Sequence, residues 1–114
     1  NISSPSLTAM DLIVYTNGWG GFNNARQVIH DLHEKISKKD LIKCCKKYGD
    51  IQAVQRLGFL LEYFGYPKKN LEPIKTWIKS KNPNFINLVI SPKKEGHKNQ
   101  DWRIIQNENV EVEI

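Results

Sequence analysis

A chain of 114 residues, 39% apolar and 25% charged, reads as one domain of ordinary size that can bury a core without disulfides or metal. Its two cysteines exclude a disulfide-built scaffold and suit a reducing compartment, so a cytoplasmic location is expected; no apolar run approaches the roughly 18 to 20 residues of a membrane span. The net charge of +5 is uneven: residues 1 to 107 hold all 17 Lys and Arg, a balance of +8, whereas Glu108, Glu111 and Glu113 make the tail acidic. Fourteen of those 17 cations are lysines, which suit phosphate attraction or solubility better than bidentate reading of bases.

A first helix is expected from about Pro5 to Thr16, with Leu7, Met10, Val14 and Tyr15 as its apolar stripe and Asn17-Gly18 as its end. Gly18 to Gly21 reads as a flexible loop in which Trp19 and Phe22 plug the gap between helices. A second helix starts near Asn24 and presents Ala25, Val28, Ile29, Leu32 and Ile36 to the core. His30, His33 and Glu34 fall on its other side, as surface residues without a third metal ligand in view.

The third helix is expected from Asp40, as N-cap, to Tyr48, ending at Gly49. Leu41, Ile42, Cys45 and Tyr48 can face inward, while Lys38, Lys39, Lys43, Lys46 and Lys47 form the densest basic patch of the chain. That patch is either a solvated face or a contact for nucleic-acid backbone or an acidic partner. Adjacent Cys44 and Cys45 cannot form an ordinary bridge, and one of them is expected to fill core space.

Asp50 to Gly65 is the strongest helix signal, with Asp50 as N-cap, Gly65 as stop and Ile51, Val54, Leu57, Leu61 and Phe64 at helical spacing. Arg56 sits inside its apolar part beside Gly58, and Asp11 is the expected partner in a structural ion pair that would fix the register of two helices. A fifth helix, Leu71 to Lys79, is capped by Asn70, carries Pro73 in its first turn and buries Leu71, Ile74, Trp77 and Ile78. Then the period changes. Phe85 to Ile90 and Trp102 to Gln106 read as two antiparallel strands joined by a polar loop containing Lys93, Lys94 and Lys98, and Val110, Val112 and Ile114 alternate with glutamates as a half-buried strand. The fold class is α+β: helices over the first two-thirds, followed by a small antiparallel sheet.

SSPSLTAMDLIVY (3–15), GGFNNARQVIHDL (20–32), QRLGFLLE (55–62) and WRIIQNENVEVE (102–113), in that order, resemble the C-terminal domain of the AbiEi family, antitoxins and transcriptional regulators of bacterial abortive-infection systems. Gln106 to Asn109 depart from the family pattern by interrupting its last apolar strand. The resemblance implies one antitoxin domain, a fragment of a parent protein with an upstream winged-helix DNA-binding domain. It further implies a nucleotidyltransferase-like toxin as functional partner and operator DNA contacted through the parent. No catalytic constellation, phosphate loop, metal motif or cofactor signature emerges from the residues, which point to a regulatory rather than an enzymatic chain. The candidate contact surface comprises Lys38, Lys39, Lys43, Lys46, Lys47, Lys93, Lys94 and Lys98. It serves either neutralisation of the toxin or, alternatively, DNA binding or dimerisation in a repressor without antitoxin activity.

Overall fold

A computed structural model describes residues 4–15, 19–88 and 96–107, with the backbone alone for 19–23. Among the described residues five α-helices are followed by three short strands: α1 (Pro5–Tyr15), α2 (Trp19–Leu32), α3 (Lys38–Tyr48), α4 (Ile51–Tyr63), α5 (Lys68–Lys81), β1 (Ile86–Asn87), β2 (His97–Asn99) and β3 (Ile104–Gln106). A single 3-10 turn, His33–Lys35, follows α2. The α+β class read from the sequence is the class observed.

Helix α4 is the axis of the molecule. Asp50 caps it, its carboxylate accepting from the Ala53 N–H at 3.1 Å. At the other end Gly65, with φ +94°, takes the left-handed turn that an L side chain would resist. Every residue from Ala53 to Leu61 is buried. A helix apolar on one stripe needs cover on one side; α4 is covered all round, with α1, α2, α5 and β3 packed against it.

The other helices differ from expectation mainly at their ends. Helix α2 begins at Trp19, not Asn24, so Gly20 and Gly21 are helical. The expected plugging by Trp19 and Phe22 concerns side chains outside those described. Helix α3 is capped by Ser37, whose hydroxyl accepts from the Asp40 N–H at 3.2 Å. Both residues are good caps, and the one three positions earlier adds a turn, leaving Asp40 as the acid of that first turn. Helix α5 starts at Lys68 and runs to Lys81, so Pro73 is its sixth residue. In α1 the buried side is Ser6, Ala9, Met10 and Ile13, whereas Tyr15 is 78% exposed, correcting the stripe read from the sequence. Cys44 and Cys45 are both buried and free.

The sheet is mixed, in the order β1-β3-β2. β1 pairs with β3 in parallel, Ile86 opposite Ile104, and β2 pairs with β3 antiparallel, His97 opposite Gln106. This corrects the antiparallel pairing expected of the first and last apolar segments. The polar linker supplies its own strand, β2, and that strand takes the antiparallel place beside β3. The turn from Gln100 to Arg103 closes the hairpin, with Arg103 at φ +54° and the Trp102 N–H donating to Asn99 Oδ1 at 2.9 Å. Trp102 is fully buried and its six-membered ring lies against Gly58. The expected strand through Val110, Val112 and Ile114 lies outside the described residues.

Candidate functional site: a lysine face and its supports

Five lysines of α3, Lys38, Lys39, Lys43, Lys46 and Lys47, are exposed, and Leu41, Cys44 and Cys45 are buried. At 100° per residue the lysines occupy one half of the helix and the buried residues the other. The charge is therefore displayed outward by the same packing that fixes the helix. Lys46 and Lys47 stand in the last turn, where the helix dipole favours cations; Asp40 offsets Lys38 and Lys39 in the first. Lys98 is on β2, its ammonium 5.5 Å from the centroid of the Phe85 ring, which Arg103 also overlies at 5.7 Å. Lys98 thus belongs to the hairpin and not to the α3 face. Lys93 and Lys94 lie outside the described residues.

Asp11 and Arg56 do not form the expected ion pair. Asp11 Oδ1 accepts from the Tyr48 hydroxyl at 3.1 Å, tying α1 to α3. Burial, then the bond to Asp11 and its charge, push the Tyr48 phenol up to about 12. Arg56, 7% exposed, donates from Nε to the Asn87 carbonyl at 3.1 Å. In the parallel register, Ile86 N–H donates to the Arg103 carbonyl and Leu88 N–H to the Ile105 carbonyl, so Asn87, between them, has its own carbonyl turned away from β3. The guanidinium therefore covers an acceptor on the outer edge of β1, where an open edge invites strand pairing. Burial lowers the Arg56 pKa, opposed by Asp50.

Two residues that the periodicity did not single out hold the sheet to the helices. Gln55 is fully buried, and its amide nitrogen donates to the carbonyls of Trp102 (3.0 Å), Arg103 (3.2 Å) and Asn84 (3.3 Å). Three acceptors around one group settle the orientation of the amide, because the oxygen would be repelled there. Lys75, 8% exposed, is paired with Glu62 Oε1 at 2.5 Å and Asp101 Oδ2 at 3.5 Å, with its ammonium 5.7 Å from the Trp102 ring centroid. Burial opposes its charge, but Glu62 and then Asp101 outweigh that and raise its pKa. A polar residue inside the apolar arc of a helix was the available signal in both cases, and only Arg56 was read that way.

His30 and His33 lie at the surface but are half-buried: Phe64 meets His30 edge-on at 5.1 Å and lies 6.2 Å from His33. Among the described residues no group of three or more His, Cys, Asp or Glu is placed to hold a metal ion. No helix among them is long and apolar enough to cross a membrane.

The molecule is thus a helical body with a cationic helix face, braced against a small sheet by buried polar side chains. Residues 1–63 match the model of the AbiEi antitoxin C-terminal domain, more than half of the chain, and the chain belongs to that family of antitoxins of abortive-infection toxin–antitoxin systems. The match takes in α1, α2, α3 and α4, and so all five lysines of the α3 face; the WRIIQNENVEVE segment lies beyond it. No curated protein and no solved structure matches the chain.

Proposed function

We propose that this chain is the antitoxin domain of a parent regulator that carries a winged-helix DNA-binding domain, and that it neutralises a nucleotidyltransferase-like toxin with the α3 lysine face as its contact surface. The family match carries this reading, since it contains the whole of that face. The placement of five exposed cations opposite a buried stripe supports an acidic partner, because exposed lysines attract at long range and lose little on contact. The test is a growth assay in which the neighbouring toxin gene is induced alone, with the parent, and with residues 1–114. Rescue by the 114-residue chain is expected; toxicity unrelieved by either partner removes the reading.

The preponderance of lysine over arginine favours a second reading in which the same face touches phosphates and helps the parent hold its operator. Promoter affinity of the parent would then fall steeply with salt, and a Lys43→Glu, Lys46→Glu, Lys47→Glu variant would lose repression. Loss of rescue with intact promoter binding assigns the face to the toxin; the reverse assigns it to DNA.

A further inference from the structure

The C-terminal end of α4 carries a run of rings outside the lysine face. Phe59 and Tyr63, one turn apart, stack with centroids 6.5 Å apart and planes 28° from parallel. Phe64 meets Tyr63 edge-on at 6.0 Å. Phe59 is 6% exposed whereas Tyr63 is 47% exposed. Tyr63 is thus held in place by a buried ring on one side and an edge-on ring on another, while much of it faces water. An exposed tyrosine alone is ordinary; one whose plane is already fixed loses little freedom when a flat ligand lies on it.

A cleft of about 260 Å³ opens beside it, lined by Phe59, Glu62, Tyr63, Lys68 and Asn99. Its one carboxylate is occupied, since Glu62 is paired with Lys75 at 2.5 Å. Asn99 is oriented as well: its Oδ1 accepts from the Trp102 N–H at 2.9 Å, so its NH2 is the end left to donate to a ligand. Lys68 is an exposed cation on the rim. A ring face, an amide donor and an ammonium, with the neighbouring acid neutralised from within, are complementary to a flat π-system that carries carbonyl or ring-nitrogen acceptors and an anionic group. That combination is the chemistry of a nucleotide with an unpaired base.

We propose that the cleft between α4, α5 and β2 binds a nucleotide, with the base on Tyr63 and the phosphate on Lys68, supplied either free or as one unit of a single strand. A duplex does not fit, because its bases are stacked on each other and have no face for Tyr63. The site is separate from the α3 lysines and does not rest on the role proposed for them.

The probes are adenosine 5′-monophosphate, a fluorescent single-stranded oligoadenylate and the same strand annealed to its complement, each titrated into the 114-residue chain at low salt. Carrying Lys43→Glu and Lys46→Glu in the background removes nonspecific attraction to α3. Single-strand affinity is expected to fall about tenfold in Tyr63→Ala, where one base–aromatic stack is lost, and to persist in Tyr63→Phe. Lys68→Glu weakens binding and flattens its salt dependence. Monophosphate binding lost in Tyr63→Ala supports a free nucleotide as ligand; strand binding alone supports a single strand. Equal affinity of wild type and Tyr63→Ala, or equal binding of the duplex, overturns the proposal. So does a protein partner released by Tyr63→Ala when neither nucleotide probe binds. Tyr63 and Lys68 are exposed, so both variants are expected to fold, which thermal unfolding checks.

Discussion

The six-membered ring of Trp102 occupies the space that a Cβ on residue 58 would need. Trp102 is fully buried and its backbone N–H is tied to Asn99, so the residue that carries the ring cannot retreat without moving the β2–β3 turn. The choice of glycine in mid-helix costs about 1 kcal/mol of propensity, and the close approach of the indole is what it makes possible. Gly58→Ala is therefore expected to destabilise the protein by about 1–3 kcal/mol despite its better helix propensity. Urea denaturation measures this; a stabilised variant would show that the indole is free to shift.

Gln55 joins α4 to the hairpin by the charge distribution of its amide. In Gln55→Glu a carboxylate oxygen would replace the NH2 that faces the carbonyls of Trp102, Arg103 and Asn84, a buried charge without a partner, costing about 3–5 kcal/mol near neutral pH. The sign with pH follows. The introduced acid has a folded pKa raised above its unfolded value, so the penalty is complete above the folded pKa, shrinks as pH falls through it and the protonated acid becomes a donor, and is gone below the unfolded pKa. A denaturation midpoint that fails to recover in mild acid, relative to wild type, would contradict this geometry.

Lys75 is the second brace, and its loss is not equivalent to its replacement together with Glu62. Lys75→Met leaves the nearly buried Glu62 carboxylate without its cation and is expected to cost about 3 kcal/mol, whereas Lys75→Met with Glu62→Gln recovers part of that loss. The Lys75 pKa is raised from 10.5 in the fold, so its contribution is complete below that value and is lost as pH rises through the higher folded pKa. Wild type should thus weaken at alkaline pH more than the double variant does.

How far these braces could be read from residues alone depends on what each one bonds to. Asp50 and Gly65 were legible because a cap acts on N–H groups or a backbone angle within three residues of itself. Ser37 and Asp40 were both competent caps, and sequence could not rank them. Arg56 stood out as a cation in an apolar arc, but its partner is the Asn87 carbonyl; every residue has a carbonyl, so pattern reading turned instead to a carboxylate set in a second apolar segment, Asp11. The direction of β1 against β3 was illegible for a related reason. Pairing is decided by which segment reaches the far side of β3, and His97 to Asn99 has no strand-like composition. The lysine face was legible at either boundary, since Lys43, Lys46 and Lys47 are helical in both and the earlier start adds Lys38 and Lys39 on the same half of the helix.

Asp11 ties α1 to α3 through Tyr48, in place of the expected tie from α1 to α4 through Arg56. Alanine at both Asp11 and Arg56 should give additive losses, whereas Asp11→Ala and Tyr48→Phe should be coupled. The phenol supplies an independent readout. Its folded pKa is raised from 10.0 to about 12, so stability tied to the neutral phenol is present below 10.0 and is lost between that value and about 12. Burial pushes up the Tyr66 phenol as well, so phenolate absorbance in wild type should show a late-titrating component that is smaller in Tyr48→Phe and that moves in part to lower pH in Asp11→Asn.

The α3 face separates function from stability most cleanly, because its five lysines are exposed while the opposite half of the helix is in the core. Charge reversal at Lys43, Lys46 and Lys47 is expected to change unfolding free energy by less than about 1 kcal/mol, the usual range for exposed positions. Lys46 and Lys47 stand in the last turn, so reversal there meets the negative end of the helix dipole and should account for most of what change there is. Lys43→Glu alone should then be nearly neutral. If the triple variant keeps its melting temperature but no longer rescues growth, the loss lies in contact and not in folding. If it unfolds early, reversal at Lys43 and Lys39, away from the helix end, is the variant on which rescue is decided.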